Sequence, residues 1–297
     1  MRTILAPSWI GAAALVGAIA ASPADGQPGT FKINGETIHY EVLGRGDPLV
    51  LIHGWALDDR MWESQVRAFS PRYKVIRYDR RGFGKSSGHE DLTWDEADLV
   101  TLLDSLRVGR THVLGMSQGA RVALQFVRDH PERVASLILQ SPSPPEKFPL
   151  PWNGPDAPRF VEWTKLVQEK GLDAFRPEWA RHPLMQVPAN RPDARAQLDK
   201  ILADYRGERF LHPVPPSGPV APTAFEDLPR IAVPTLVLTS ERDVPFLRLV
   251  SGMYAYYVPK AKLEVLPGGG HMVNLIEPQP FNAAVLKFLD TGAASHP

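Results

Sequence analysis

The sequence contains no cysteine, so the chain has no disulfide, no thiolate for a metal site and no cysteine nucleophile. It also lacks an excess of charge of either sign, because 33 lysines and arginines balance 33 aspartates and glutamates. This balance gives no indication of a nucleic-acid partner or of an anionic membrane surface as partner. No pair of histidines has the spacing of a metal motif, and we expect neither a metal nor another cofactor.

The N-terminal residues have the pattern of a secretory signal peptide. Met1 and Arg2 form a short positive region, and the apolar run that follows ends in a small-x-small sequence at Ala20. The pattern predicts a signal peptide over residues 1–20, a secreted or periplasmic protein, and no stable membrane insertion after cleavage. An uncleaved anchor and a misassigned start codon are the alternatives, since the uncharged stretch is about long enough to span a bilayer.

Short apolar strands alternate with helical patterns through most of the chain. A hairpin is predicted over residues 30–42, because Asn34-Gly35 is a type I′ turn signal. Thr93 is expected to cap a later helix, with Glu96 as its capping-box partner. Further strands are predicted at residues 48–52, 75–78, 112–114, 134–139, 234–238 and 263–266. This alternation predicts an α/β fold with a mostly parallel sheet and helices on both faces.

The region between residues 142 and 222 interrupts this alternation. It holds 16 of the 30 prolines and no evident strand of the same type, which marks it as an insertion. Three of the seven tryptophans lie there, and Phe160, Trp163 and Val167 suit one face of a helix. We therefore predict a helical lid over residues 144–226, inserted between core segments 27–143 and 227–293.

The pentapeptide Gly115-Met-Ser117-Gln-Gly119 matches G-x-S-x-G between a predicted strand and a predicted helix. In this context the serine lies on a tight, strained turn that projects its hydroxyl from the sheet edge. Small flanking residues let the strand and the helix approach each other. The N-terminus of the helix adds a partial positive charge near the hydroxyl. The pattern predicts Ser117 as a nucleophile.

An oxyanion hole is expected from two backbone N–H groups, those of Trp55 and Gln118. Trp55 belongs to His53-Gly54-Trp55 at the end of an earlier strand, and Gln118 follows the predicted nucleophile. Loss of one such donor typically costs about 3 kcal/mol of transition-state stabilisation. His53 is expected to fix its loop rather than to act as a base, because it precedes a glycine at a strand end.

A base and an acid follow later strands. Asp243 comes after the strand at residues 234–238, and His271 comes after the next one, which gives the chain order Ser, Asp, His. His271 is predicted to take the proton of Ser117, and Asp243 to orient the imidazole and stabilise its charged form. Glu241 and Asp227 are the rival acids.

Residues 34–142 and 234–289 resemble the α/β-hydrolase family, and within it the branch of esterases, lactonases and cofactor-free perhydrolases. The resemblance implies the α/β-hydrolase fold and covers about three fifths of the chain. The chain departs from the family at Met116, where the family often has His or Phe, and at Gln118, where it often has Met. The matching motifs are His53-Gly-Trp55, Asp79-Arg-Arg-Gly-Phe-Gly-Lys-Ser86, Gly115-Met-Ser-Gln-Gly119, Glu241-Arg-Asp243 and Gly270-His-Met272.

The expected function is hydrolysis of small to medium, neutral carboxylic esters or lactones through an acyl-enzyme on Ser117. A lid would enclose an apolar pocket near Trp55, with Trp152 or Trp163 beside it. Arg121 is expected to face solvent, which leaves no cation for a charged acid. A serine at this position argues against dehalogenases and epoxide hydrolases, which use an aspartate. C–C bond hydrolysis, perhydrolysis and a ligand receptor on the same fold are the alternatives.

Overall fold

The computed structural model describes residues 26–213 and 215–293, which form one eight-stranded sheet and ten α-helices. The predicted signal peptide over residues 1–20 lies outside these residues and stays a prediction. Within the described part of the chain, no helix has both the length and the apolar character needed to cross a membrane.

The sheet is mostly parallel, as predicted. Its strands are β1 (Gln27–Ile33), β2 (Glu36–Leu43), β3 (Asp47–Ile52), β4 (Tyr73–Tyr78), β5 (Thr111–Met116), β6 (Val134–Gln140), β7 (Thr235–Ser240) and β8 (Ala261–Leu266). Their order is β1-β2-β4-β3-β5-β6-β7-β8. Only the pairs β1–β2 and β2–β4 are antiparallel. β5 and β7 are buried along their whole length, because both faces of the sheet are covered.

Helices cover both faces of the sheet. They are α1 (Glu63–Phe69), α2 (Leu92–Ser105), α3 (Gln118–Asp129), α4 (Phe160–Lys170), α5 (Leu172–Arg181), α6 (Pro192–Asp204), α7 (Glu208–Leu211), α8 (Pro245–Tyr257), α9 (Val273–Ile276) and α10 (Pro278–Ala293). The chain moves in one direction across the sheet from β3 to β4 and in the other from β5 to β6. Because such crossovers are right-handed, α1 and α3 lie on opposite faces. α1 packs on α10, and α2 packs on α3.

The predicted hairpin is confirmed. Ile33 pairs with Glu36 at the end of β1 and β2, which leaves Asn34 and Gly35 as a two-residue turn. Their φ angles are 49° and 84°, and a type I′ turn requires positive φ at both positions.

The helix cap predicted at Thr93 is wrong. The observed cap is Asp91, two residues earlier, and its carboxylate accepts a hydrogen bond from the Thr93 N–H at 2.9 Å. Asp91 therefore satisfies the N–H that a capping residue must reach. Glu96 is not part of a capping box, since its carboxylate lies 2.7 Å from Nε2 of His130.

The parallel strands β5 to β8 bring the candidate site together. Parallel strands end at the same edge of a sheet, and Ser117 follows β5, Asp243 follows β7 and His271 follows β8. Residues 141–234 connect β6 to β7, and they contain α4, α5, α6 and α7. We refer to residues 144–226 within this connection as the inserted segment.

Candidate active site

Ser117 occupies a strained turn between β5 and α3. Its φ is 53° and its ψ is −114°, a conformation that L-residues other than glycine rarely adopt. The turn closes only because its flanking residues are small. A Cβ on Gly119 would lie 2.4 Å from the Ile52 carbonyl oxygen, and a Cβ on Gly115 would lie 2.4 Å from the Gly119 carbonyl oxygen. Glycine is thus required at positions 115 and 119, because a Cβ at either position would lie 2.4 Å from a backbone oxygen.

His271 and Asp243 lie side by side and buried at the same edge. Nδ1 of His271 is 3.4 Å from Oδ1 of Asp243, slightly longer than the 2.6–3.2 Å typical of a catalytic hydrogen bond. The carboxylate is held by the Val244 N–H at 2.8 Å and by the Thr239 hydroxyl at 3.3 Å. Catalytic hydrogen bonds often shorten only when substrate binds. A shift of a few tenths of an ångström would bring the distance between His271 and Asp243 into this range.

The rival acids lie elsewhere. Glu241 is exposed, and its carboxylate accepts a hydrogen bond from the Gly268 N–H at 3.2 Å. Asp227 accepts hydrogen bonds from the Ala224 N–H at 3.0 Å and from Arg230 at 3.1 Å. Of the three acidic candidates, only Asp243 forms an ion-pair contact with an imidazole.

His53 fixes its loop, as expected. Its Nε2 accepts a hydrogen bond from the Arg80 N–H at 2.9 Å, and its Nδ1 lies 2.8 Å from the Gly54 carbonyl oxygen. Burial and the neighbouring Arg80 charge lower the pKa of His53 to about 3. The ring is therefore neutral and has both nitrogens engaged at physiological pH, which leaves it no role as a base for Ser117.

Trp55 is the centre of an aromatic cluster that joins the core to the inserted segment. Its indole N–H donates a hydrogen bond of 2.8 Å to Glu90, whose other oxygen accepts one of 2.6 Å from the Tyr205 hydroxyl. Burial raises the pKa of Glu90, while the hydrogen bond from Tyr205 opposes that change. The other rings in contact with Trp55 are those of Phe160, Trp163, Phe175, Trp179 and Phe210.

Glu90 was not predicted from the sequence. It immediately precedes the true helix cap, Asp91, and no motif there marks a buried carboxylate. Its partners come from the end of β3 and from the end of α6, so only the folded chain brings them together. Glu90 thereby fixes the loop that carries the N–H of Trp55.

A cavity of about 280 Å³ opens onto Ser117 and His271, and the core and the inserted segment both contribute to its wall. Of the two tryptophans expected beside it, Trp152 lines the cavity, whereas Trp163 is 1% exposed within the aromatic cluster. The remaining lining residues are Trp55, Leu57, Met116, Gln118, Arg121, Ser143, Pro144, Pro158, Phe160, Trp179, Leu184 and Met185.

The prediction that Arg121 faces solvent is wrong. Its side chain is 19% exposed, lines the cavity and forms an ion pair with Glu146. Helical spacing alone placed it on the outer face of α3, but the start of the inserted segment covers that face. Because Glu146 offsets its charge, Arg121 adds a hydrogen-bond donor to the wall rather than an unpaired cation.

Ser143 is a second residue that the motifs did not indicate. Its hydroxyl lies 3.2 Å from the Ser117 hydroxyl, and its N–H donates a hydrogen bond of 3.2 Å to the Ser117 carbonyl oxygen. The Tyr254 hydroxyl donates to the Ser143 carbonyl oxygen at 3.0 Å. Ser143 therefore contacts the Ser117 hydroxyl and helps to hold the backbone of its turn.

Known proteins are similar to this chain over most of its length. A putative non-heme chloroperoxidase from Synechocystis sp. is 33% identical over 269 residues, which cover 85% of this chain and 94% of the relative. A pimeloyl-acyl-carrier-protein methyl ester esterase from Nitrosomonas europaea is 26% identical and covers 82% of this chain and 96% of its own length. The solved structure of an N-acyl homoserine lactone degrading enzyme is 26% identical, with a TM-score of 0.70 over 88% of this chain and 100% of its own.

Residues 49–284 match the profile of the alpha/beta hydrolase family. This range includes most of β3, the strands β4 to β8 and the whole inserted segment. The predicted α/β-hydrolase fold is confirmed, and the chain belongs to the alpha/beta hydrolase family.

Proposed function

We propose that the protein is a serine hydrolase that cleaves small to medium, neutral carboxylic esters or lactones through an acyl-enzyme on Ser117. The observation that carries the proposal is the strained backbone of Ser117 at the wall of a cavity that His271 also lines. Asp243, buried beside His271, completes a nucleophile, a base and an orienting acid.

In the proposed reaction the Ser117 oxygen attacks the substrate carbonyl carbon while His271 takes the hydroxyl proton. His271 then returns this proton to the leaving alcohol, or to the ring oxygen of a lactone, as the carbonyl–oxygen bond breaks. A water molecule repeats the sequence on the acyl-enzyme and releases the carboxylic acid. Asp243 holds the Nδ1–H tautomer of His271, so that Nε2 is free to accept the proton.

The oxyanion of each tetrahedral intermediate is stabilised by the backbone N–H groups of Trp55 and Gln118. Gln118 is the first residue of α3, where the helix N-terminus adds a partial positive charge. The hydrogen bond from the Trp55 indole to Glu90 fixes the other donor's loop before substrate binds. Donors that are already in place need no reorganisation during the reaction, which is why such sites stabilise charge effectively.

The size and polarity of the cavity support the substrate class. About 280 Å³ lies near the lower end of the range found for small-molecule sites, and the wall is mainly apolar. Among the described residues that line this cavity Arg121 is the one cation, and its ion pair with Glu146 leaves none unpaired to favour a charged acid. The relatives named as an ester hydrolase and as a lactone-degrading enzyme support the same reaction type.

The test is a substrate series. We expect kcat/KM to be highest for the butyrate among the nitrophenyl acetate, butyrate, octanoate and palmitate esters, or for a simple lactone. A maximum at palmitate would contradict the predicted size. Absence of ester and lactone turnover, together with cleavage of a dienoic diketone, would replace the proposal with C–C bond hydrolysis.

Perhydrolysis is the second candidate, favoured by the relative named as a putative non-heme chloroperoxidase. In this reaction hydrogen peroxide takes the place of water at the acyl-enzyme and yields a peroxycarboxylic acid. Acetate or an acetate ester with hydrogen peroxide tests it. Peracid formation at a rate that exceeds ester hydrolysis would make perhydrolysis the main activity.

A further inference from the structure

A second cavity, of about 410 Å³, lies beside the first and shares Gln118 and Arg121 with it. Unlike the first, it is bordered by many charged side chains and by two imidazoles, those of His89 and His212. His89 belongs to the loop between β4 and α2, and His212 directly follows α7 of the inserted segment. Two distant parts of the chain therefore bring imidazoles to one wall.

Glu208 joins these two histidines. Its Oε2 lies 3.1 Å from Nδ1 of His212, one helical turn away, and 3.9 Å from Nδ1 of His89. The three ligand atoms all lie within 4.8 Å of one another. Tetrahedral Zn²⁺ with ligands at about 2.1 Å separates them by about 3.4 Å. The two spacings to Glu208 lie on either side of this value and the third is at most 4.8 Å, so side-chain rotations are needed to place all three ligands around one ion.

Two further observations bear on this group, whose His89 and His212 side chains are 44% and 63% exposed. Nδ1 of His89 is buried and has no hydrogen-bond partner among the described residues, which is costly for a polar atom. Glu208 is held from its other oxygen by Arg206 at 3.2 Å, and Arg206 also donates to the carbonyl oxygens of Gly84 and Ser86. Arg206 thus holds the carboxylate beside the loop that carries His89 before any ion binds.

We infer that His89, Glu208 and His212 form a binding site for a divalent transition-metal ion, with Zn²⁺ as the best match. Two imidazoles and one carboxylate suit zinc, whereas magnesium and calcium prefer all-oxygen sites. Three protein ligands leave a fourth position for water or an anionic ligand from the second cavity. The bound ion links the loop at His89 to α7 and so fastens the inserted segment to the core. This inference does not depend on the proposed esterase activity.

Histidine spacing along the chain gave no sign of this site, because the two imidazoles come from the core and from the insertion. His130 and Glu96 provide a matched comparison within the same molecule. They form a 2.7 Å imidazole–carboxylate pair, but within the described part of the chain no third His, Asp or Glu lies close enough to complete a group. A substitution at His130 therefore removes a paired histidine without touching the proposed site.

The experiment is a Zn²⁺ titration of the untagged, metal-stripped full chain against a chromophoric chelator, with unfolding temperature as a second readout. We expect one tight equivalent, a rise in Tm with Zn²⁺ and none with Mg²⁺. The variants His89→Gln, Glu208→Gln and His212→Gln should each weaken binding by about tenfold or more, since removal even of supporting partners costs 10–100-fold. Their metal-free Tm values report whether they fold.

His130→Gln should bind Zn²⁺ as the natural chain does. The inference is wrong if the natural chain binds no Zn²⁺, or if the folded site variants bind it as tightly as His130→Gln. Loss of ester hydrolysis in any variant has no bearing on this result, because binding and Tm are measured without substrate.

Discussion

The Arg80 guanidinium donates a hydrogen bond of 2.8 Å to the side-chain oxygen of Gln118, the residue that follows Ser117. Arg80 is itself fixed by a buried ion pair with Asp95 at 2.7 Å. The side-chain amide of Gln118 is therefore held by a rigid partner.

This arrangement predicts a mild effect of Gln118→Ala. Because only the backbone N–H of this residue is proposed to bind the oxyanion, kcat should stay within about threefold of the natural enzyme. If the side-chain amide were itself an oxyanion donor, the loss would be about 10²-fold or more. Steady-state kinetics on nitrophenyl butyrate separates the two results.

Ser117→Ala should abolish turnover, with a loss of kcat of about 10⁴-fold or more, and leave the fold intact. Ser143→Ala is the matched comparison, since it removes the hydroxyl 3.2 Å away. It should cost at most about tenfold, as expected for one neutral hydrogen bond. A Ser117→Ala enzyme with a tenth of the natural rate would refute the nucleophile.

Asp243→Asn should reduce kcat far more than Glu241→Gln does. An asparagine at position 243 favours the wrong tautomer of His271, which typically costs about 10⁴-fold in rate. Glu241 is exposed and its carboxylate accepts a hydrogen bond from the Gly268 N–H, away from His271, so its amide variant should retain nearly full activity. Were the Glu241 variant the weaker enzyme, the acid would have to be reassigned.

Trp152→Ala should shift the acyl preference toward longer chains. Trp152 lines the first cavity and stacks on Phe246 with ring centroids 5.0 Å apart. Its removal therefore enlarges the cavity on an apolar side. The ratio of octanoate to butyrate kcat/KM should rise by about tenfold, the lower end of the effect of one methylene group in an apolar pocket. Val161→Ala, at an 82% exposed position of the inserted segment, should leave the ratio unchanged.

Asp59 should make the fold less stable as the pH rises. Burial, and next the charge of Asp79, raise the pKa of Asp59 to about 7, so the folded chain holds this proton more tightly than the unfolded chain. The stabilisation is complete below the unfolded pKa of about 3.9 and is lost as the pH rises through about 7.

In Asp59→Asn, the fall in Tm between about pH 5 and about pH 8 should therefore be smaller than in the natural chain. Asp104→Asn, at an exposed carboxylate, is the control and should keep the natural pH dependence. An unchanged pH profile in the Asp59 variant would show that this carboxyl does not titrate in that range.

The sequence was sufficient to predict the sheet and the positions of Ser117, Asp243 and His271. Each of these residues follows a short apolar strand, and parallel strands end at one edge, so local patterns determine where they meet. The hairpin turn at Asn34-Gly35 was predictable for a similar reason, because its dihedral angles depend on two adjacent residues.

Contacts between distant segments were not predictable. Glu90 and Ser143 act through partners on other elements, and neither lies in a motif. Arg121 was placed by helical spacing, which carries no information about an insertion that covers the helix. The capping-box pattern predicted Thr93 as the cap, yet Asp91 supplies the carboxylate at the actual helix start.

The position of Trp55 also has a consequence for protein engineering. Its ring contacts α4, α5, α7 and the end of α6, and its indole N–H is tied to Glu90. In a chimera that receives residues 144–226 from a relative, different side chains would contact Trp55, and the loop beside Ser117 would be disturbed. We therefore expect such chimeras to function only when positions 55 and 90 are replaced together with the inserted segment. A change of substrate range by this route requires coordinated substitutions at distant positions of the chain.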